Sequence, residues 1–521
     1  MKNPFLPFGE LTNKVNQIIN NGEKNKMSDI QLLEKQITEW LISQERLIQI
    51  QGDEYYRGIQ DILNKKRTYK ASDGKEYELE NMPNNQIVDN QFAKVIDQKV
   101  NFLMSKPFTL NCENENEEYA RLLKDIFSKK TIKNIKKALK DAYEGGIGWI
   151  YPYVNEKGEL MIKRFEPWEI MPLWKDSQHE ELEMAARVYP VITYEGTEEK
   201  TVFHVELYTK TGITKYIRTD DEKLIEDTGY IDSSEFGEEP YFVEKQTNVA
   251  YGWDRVPLIP IRANDGELSL LVRVKTLQDA LNRIISTFED NMEQDVKSTI
   301  IVIKNFDGTN LSEFRKNLME FGAVKVGQDG GIDTLEIKVN AENYKTVLSI
   351  IKKAIIENAM AYNPDDLKSA GSPNEMSIQS VFNDINISAD ETELELQVSF
   401  EQLFYFIDKY LLLNNKGNYE DVYVDVIFNR SMIINQSQTI TDIKNSVGIV
   451  SNKTLLAHHP FVTDVQSELD QMALEEEEAM ETGDIYKDAF GFTKDELDTS
   501  KEEVKEPVEE EIEEYDEVIE E

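Results

Sequence analysis

"LSLLVRVKTLQDALNRIISTFEDNMEQD", residues 268–295, sets apolar side chains in steps of four and three: Leu270, Val274, Leu277, Leu281, Ile284, Phe288 and Met292. That spacing predicts a helix of roughly 40 Å, at 1.5 Å per residue, with one narrow apolar seam and polar flanks. A seam this narrow suits a helix laid beside other helices. Residues Leu270, Val274, Leu277, Leu281, Ile284 and Phe288 either pack this helix on the chain's own core or, as the candidate site, form the contact between copies of the chain.

A second helix is expected from about Ala341 to Ala361, with Val347, Ile351, Ala354, Ile355 and Asn358 on one side and Lys345, Ser349 and Lys352 on another. A compact insert separates the two: a strand "STIIVIKNF" (298–306), a helix "NLSEFRKNLMEF" (310–321) and "GAVKVGQDGGIDTLEIKV" (322–339) as two strands around a Gly-Gly turn. After the second helix, "NAMAYNPDDLKSAGSPNEMSIQS" (358–380) interrupts the helical period with Pro and Gly. A very long pattern then runs over 376–413, with Ile378, Phe382, Ile385, Leu396, Phe400, Leu403, Ile407 and Leu411 on one face and a kink expected near "NISADET" (386–392). A strand "DVYVDVIFN" (421–429) and short Ser/Thr-capped helices over 451–481 follow.

On the N-terminal side, residues 28–64 carry helical spacing, a helix over 91–105 is expected to bury Phe92, Val95, Ile96, Val100 and Leu103, and another spans 117–143. From Gly148 to about Val256 the period is two, with turns at Asn-Glu-Lys-Gly and Lys-Thr-Gly that predict antiparallel hairpins. "EGGIGW" follows a helix and opens a strand. That is the reverse of the order a phosphate-binding glycine loop requires, so it reads as a helix-to-strand turn.

Composition narrows the function. The chain of 521 residues carries 99 Asp and Glu against 58 Lys and Arg. The last 47 residues hold 22 acids and four lysines, too polar to fold alone. Such a charge balance argues against sequence-specific DNA binding. Cys112 is the only cysteine, and the histidines (179, 204, 458, 459) lack metal-ligand spacing, so no disulfide, metal or cofactor is expected. The chain lacks GxxxxGK[ST], HExxH and GxSxG, so it is read as a non-enzyme. The pair Asp365-Asp366 reads as a helix cap with first-turn charge rather than a metal site. No signal peptide or spanning helix is expected. The rival reading is an acidic helical scaffold that forms no ring.

Four stretches carry a resemblance: "DEYYRGIQDIL", "NNQIVDNQFAKVIDQKVNFLMSKPFTL", "WDRVPLIPIRANDGELSLLVRVKTLQDALNRIISTFEDNMEQD" and "SNKTLLAHHPFVTDVQSELDQM". In this order, and with a small insert between two long helices, the chain resembles portal proteins of tailed bacteriophages, in particular those of long-tailed phages of Gram-positive hosts. The resemblance implies an α+β portal fold. Its parts are a wing (1–266 with 376–430), stem helices (267–297 and 339–361), a ββα clip (298–338), a tunnel loop (362–375) and a helical crown (431–474), followed by an acidic tail (475–521). It implies a homo-oligomeric ring of about twelve copies at one capsid vertex, passage of double-stranded DNA without sequence specificity, and docking of terminase, a neck adaptor, capsid and scaffolding proteins. The site would be the virion, reached from the host cytoplasm during assembly, with no membrane. On that plan Asn363, Pro364, Asp365, Asp366, Lys368, Gly371 and Pro373 belong to the channel's narrowest loop. Lys345 and Lys352 form a basic stripe beside it.

Overall fold

The computed structural model describes residues 26–70, 75–78, 82–112, 116–195, 198–227, 239–243, 250–295, 300–306, 326–335, 341–365, 375–430, 436–462 and 465–481. It divides into two compact units, residues 1–432 and 433–521.

The first unit is built on helices α1 (Lys26–Leu41), α2 (Gln44–Tyr56), α3 (Gln91–Met104), α4 (Glu117–Ile126) and α5 (Lys129–Gly145). Their boundaries follow capping chemistry. Ser43, Asn90, Asn116 and Ser128 each accept a hydrogen bond from an amide three residues on. The last of these splits the expected 117–143 helix in two. Helix α3 buries Phe92, Val95, Ile96, Val100 and Leu103 as the period predicts.

Strand β4 (Ile147–Val154) lies between β5 (Leu160–Phe165) and β14 (Ile259–Arg262), all antiparallel. A second antiparallel sheet runs in the order β10 (Leu224–Glu226), β9 (Gly212–Arg218), β8 (Glu198–Tyr208), β7 (Leu182–Glu195), β6 (Ile170–Trp174), with β11 (Glu239–Pro240) on β9. Short pairs join β1 (Thr68–Lys70) to β2 (Glu76–Glu78), and β12 (Phe242–Val243) to β13 (Ala250–Tyr251). Both predicted hairpins are present.

Helices α6 (Leu270–Asp295) and α7 (Ala341–Asn358) flank the insert. There β15 (Ile300–Phe306) pairs antiparallel with β16 (Val326–Leu335). The Gly-Gly expected to turn the chain instead lies inside β16, where Gly331 faces Lys304 and the register shifts between Lys304 and Phe306. Glycines absorb a bulge as readily as a turn. The predicted clip helix (310–321) lies outside the described residues.

Helix α8 (Glu375–Leu413) is one helix of 39 residues, roughly 58 Å long. It is helical throughout 386–392, where no proline interrupts its hydrogen bonds. Phe382, Ile385, Leu396, Phe400, Leu403, Ile407 and Leu411 are buried, and the return strand β17 (Val424–Ile427) pairs with β3 (Thr109–Cys112). The second unit contains α9 (Gln436–Asn445), α10 (Asn452–Ala457), capped by Ser451, and α11 (Val465–Glu481). Helix α11 continues through the first acidic residues after 475, and residues 482–521 lie outside the described set.

Candidate functional site

The polar flank of α6 is not a solvated face. Gln278, Asn282, Ser286 and Asp290 recur every four residues and are 0, 0, 0 and 3% exposed. They hold the extended segment 84–90, which leads into α3. The Phe92 amide donates to Gln278 Oε1 at 3.1 Å, Asp89 N to Asn282 Oδ1 at 3.0 Å, Ile87 N to Ser286 Oγ at 2.9 Å, and Asn85 N to Asp290 Oδ1 at 2.6 Å. The match is geometric. Four helical residues rise about 6 Å and two extended residues about 6.6 Å, so the strap amides of Asn85, Ile87 and Asp89 each meet one helical turn, and the Phe92 amide at the start of α3 meets the fourth. Side chains close the ladder: Asn282 donates to Gln60 Oε1 at 2.5 Å and Lys65 pairs with Asp290 at 2.6 Å. Against the desolvation of burial, Lys65 and the Asn85 amide hold the Asp290 carboxyl below its ordinary value.

The base of α6 is fixed by close backbone approach. Ser269 Oγ accepts from Leu271 N at 3.0 Å and donates to Glu144 O at 2.5 Å. Gly146, at φ +97°, lies where a Cβ would come within 2.1 Å of Glu267 O, so both its conformation and its space require glycine. Glu267 accepts from Arg262 Nε at 2.8 Å and meets His179 Nδ1 at 3.0 Å; the His179 ring stacks on Trp174. Although burial opposes it, His179 and Arg262 hold Glu267 below the usual carboxylate range. Helix α8 grips the same junction: Thr392 Oγ1 donates to Ala263 O at 2.9 Å and Ser399 Oγ to Pro260 O at 2.7 Å.

Helix α7 lies along α6, with the Phe288 and Tyr344 rings 4.7 Å apart and Leu348, Ile351, Ile355 and Ile356 toward the core. It ends where Met360 takes φ +49° and the Ala361 amide donates to Ile356 O at 3.0 Å. Tyr362 then packs on Phe382 of α8 at 4.6 Å, and that ring stacks on Phe102 of α3. The loop therefore leaves a rigid root.

The predicted site residues separate into groups. Leu270, Val274 and Leu281 are buried in the chain's own core, Leu277 packs against it, and Ile284 and Phe288 are half-buried. The expectation that this seam is covered only by neighbouring copies is corrected: α3, α5 and α7 cover it first. Lys345 is exposed, but Lys352 pairs with Asp89 of the strap at 2.7 Å, which takes it out of a free basic stripe. Asn363 Oδ1 accepts from the Asp365 amide at 3.2 Å with Pro364 between them, so Asn363 caps this turn and Asp365 lies in it. Asp366, Lys368, Gly371 and Pro373 lie outside the described residues. The ladder was missed. Its signal was the four-residue recurrence of Gln, Asn, Ser and Asp, which by pattern alone matches any solvated face.

One buried acid lies beside this framework. Glu144, at the end of α5, is pushed up to about 8 by burial, with the Asp141 charge adding to it. Its carboxyl is favoured neutral in the folded chain. The stability it contributes is full below its unfolded value of about 4.3 and is lost as pH rises through 8. Glu144→Gln is therefore expected to leave the stability nearly unchanged at pH 4 and to raise it at pH 9 by on the order of a few kcal/mol. Equal effects at both pH values in thermal melts would contradict this.

Among the described residues, no group of three or more His, Cys, Asp and Glu is placed to hold a metal ion, and no helix is long and apolar enough to cross a membrane. The sequence profile described as phage portal protein, SPP1 Gp6-like, matches residues 40–482. The chain is 28% identical over 476 residues to the portal protein of Bacillus phage SPP1, covering 89% of this chain and 90% of that one. It is 25% identical over 454 residues to the portal protein of Clostridium phage phiCD119, covering 84% and 94%. With its α+β architecture, two long helices around a small insert and a third long helix beyond, the chain belongs to the SPP1 Gp6-like family of phage portal proteins.

Proposed function

We propose that the chain closes into a ring, of about twelve copies on the family plan, at one vertex of a phage capsid, and that double-stranded DNA enters and leaves through its centre. In this reading residues 298–338 dock terminase and the neck adaptor, the wing meets capsid and scaffolding proteins, and the loop at 362–375 lines the narrowest part of the channel. Lys345 and the loop lysine Lys368 carry what remains of the basic stripe. Assembly occurs in the host cytoplasm and the product is a virion component.

The observation that carries this is the outward faces of the long helices. Ile387, Leu394 and Val398 of α8 recur at seven and four residues and are exposed, Leu394 at 61%; Val272 of α6 and Val347 and Ile350 of α7 are exposed too. Arg273 and Arg283 on α6, and Asp384, Glu391 and Glu401 on α8, are exposed, and among the described residues none has an ion pair. Apolar stripes flanked by opposite charges on different helices suit a head-to-tail contact, the kind from which a closed ring is built.

Native mass spectrometry tests it: a ring is expected, and a monomer or dimer under all conditions would favour the scaffold reading. Leu394→Asp with Val398→Asp is expected to disperse the ring while changing subunit stability by under about 0.5 kcal/mol, because both positions are exposed in the single chain. An intact ring carrying both charges would remove this face from the interface.

A further inference from the structure

Helix α5 runs against the charge of the whole chain. Residues 121–140 hold eight basic side chains and one acid, Asp125, in a protein with a formal charge of −41. Lys129, Lys130, Lys133, Lys136, Lys137 and Lys140 fall within an arc of about 120° at 3.6 residues per turn. The opposite side of the helix buries Thr131, Ile135, Ala138, Leu139 and Ala142.

The lysines do nothing for the helix itself. Lys129 and Lys130 sit in the first turn, which holds no acid, where the helix dipole disfavours a cation. Lys129 with Lys133, Lys133 with Lys137 and Lys136 with Lys140 are like charges four apart, each a repulsion. Only the far end is occupied: Lys136 reaches Asn101 Oδ1 at 2.8 Å and Met104 O at 3.3 Å, and Lys140 covers the Tyr56 ring at 3.4 Å beside Asp97. Lys129, Lys130, Lys133 and Lys137 are exposed, and among the described residues none has an ion pair. Lys106, two residues past Met104, adds a further exposed cation from a second element.

We infer that this face of α5 binds the phosphate backbone of duplex DNA, without sequence preference and separately from the channel loop. The inference rests on the portal reading, which brings the duplex to the ring, and it names a second surface where the two meet. An acidic protein fits less well. The outward arc over 129–140 offers only ammonium groups, with no apolar or aromatic side chain to anchor a protein interface. Counterion release from a polyanion needs nothing more. The arc is about 16 Å long and spans about five base pairs. Because the rest of the chain is acidic, contact is confined to this strip and stays reversible.

The test uses the full chain and a fluorescent mixed-sequence duplex of about 30 base pairs, titrated by anisotropy from 50 to 200 mM salt. The comparison variants replace Lys129, Lys130, Lys133 and Lys137 together with Gln or with Arg. The Gln variant is expected to lose about three to four units of the slope of log affinity against log salt, at about 0.9 per phosphate contact, and at least tenfold in affinity at 50 mM. The Arg variant keeps both, and thermal melts of the Gln variant show no loss of stability. A wild-type chain that does not bind the duplex, or a Gln variant that matches it, overturns the inference. So does a Gln variant that loses only binding of a poly-glutamate peptide. Native mass spectrometry of the same samples separates the two readings: a ring without lysine-dependent binding defeats this inference alone, and lysine-dependent binding by a monomer defeats the ring.

Discussion

Replacing Leu281 with aspartate is expected to unfold the subunit, not merely to disperse its ring. The Leu281 side chain is 0% exposed and lies in the largest core cluster, with Val274 and Leu271 on the same helix and Ile355 and Ala359 on the α7 segment. Truncating a buried leucine to alanine costs about 2–5 kcal/mol through lost transfer energy and the cavity it leaves. An aspartate adds the desolvation of a carboxyl group with no designed partner. Together these approach the whole stability of an ordinary domain, about 5–15 kcal/mol. Circular dichroism should show lost helix, and the soluble yield should fall. Leu277→Asp, at a half-buried position, should be milder. A Leu281→Asp chain that keeps full helicity and loses only its oligomeric state would show that this position faces a neighbour.

Asn282→Leu is expected to cost roughly 3 kcal/mol and to release the strap from α6. One side chain serves three partners: it accepts from the Asp89 amide at 3.0 Å and from Gln278 Nε2 at 3.1 Å, and it donates to Gln60 Oε1. Leucine repeats the branched outline of asparagine with larger methyl groups, so the helix remains while its polar contacts are pushed apart. The Asp89 amide and the Gln60 carbonyl, however, are left buried without partners, and each unsatisfied group costs about 1–3 kcal/mol. The loss should be local as well as global. Amides 85–89 are expected to exchange faster by hydrogen–deuterium exchange, while the middle of α6 stays protected. Unchanged exchange over 85–89 would mean that the outer rungs, Ser286 and Asp290, hold the strap without Asn282.

The two predictions divide α6 as the structure divides it. One face is apolar and held by the core; the adjoining face is polar and equally buried. A helix fastened on both faces, at a base crowded by Gly146 and Ser269, is a stiff post, and the loop after α7 starts from an equally fixed root at Tyr362. What remains free on the long helices is the set of exposed apolar and charged positions proposed here as the contact between copies.

The sequence by itself determined the elements and their order. Apolar period and caps place α3, α6, α7 and α8 within a few residues, since those signals act locally: Phe92 to Leu103 declare a buried face, and Pro and Gly after Ala361 stop a helix. It also determined the family, because four separated stretches in a fixed order constrain more than any single motif. Only the tertiary structure decided which faces are covered and by what. Leu281 and Leu277 look alike in the seam, yet one is wholly buried and the other only half-buried, because burial depends on segments far along the chain. Gln278 and Asn282 read as solvated until residues 85–92 are laid against them, nearly two hundred positions away. Lys352 reads as an unpaired cation until Asp89 arrives from the same strap. Periodicity reports that a helix has two sides. The partner that occupies each side is a long-range contact, and no local spacing encodes it.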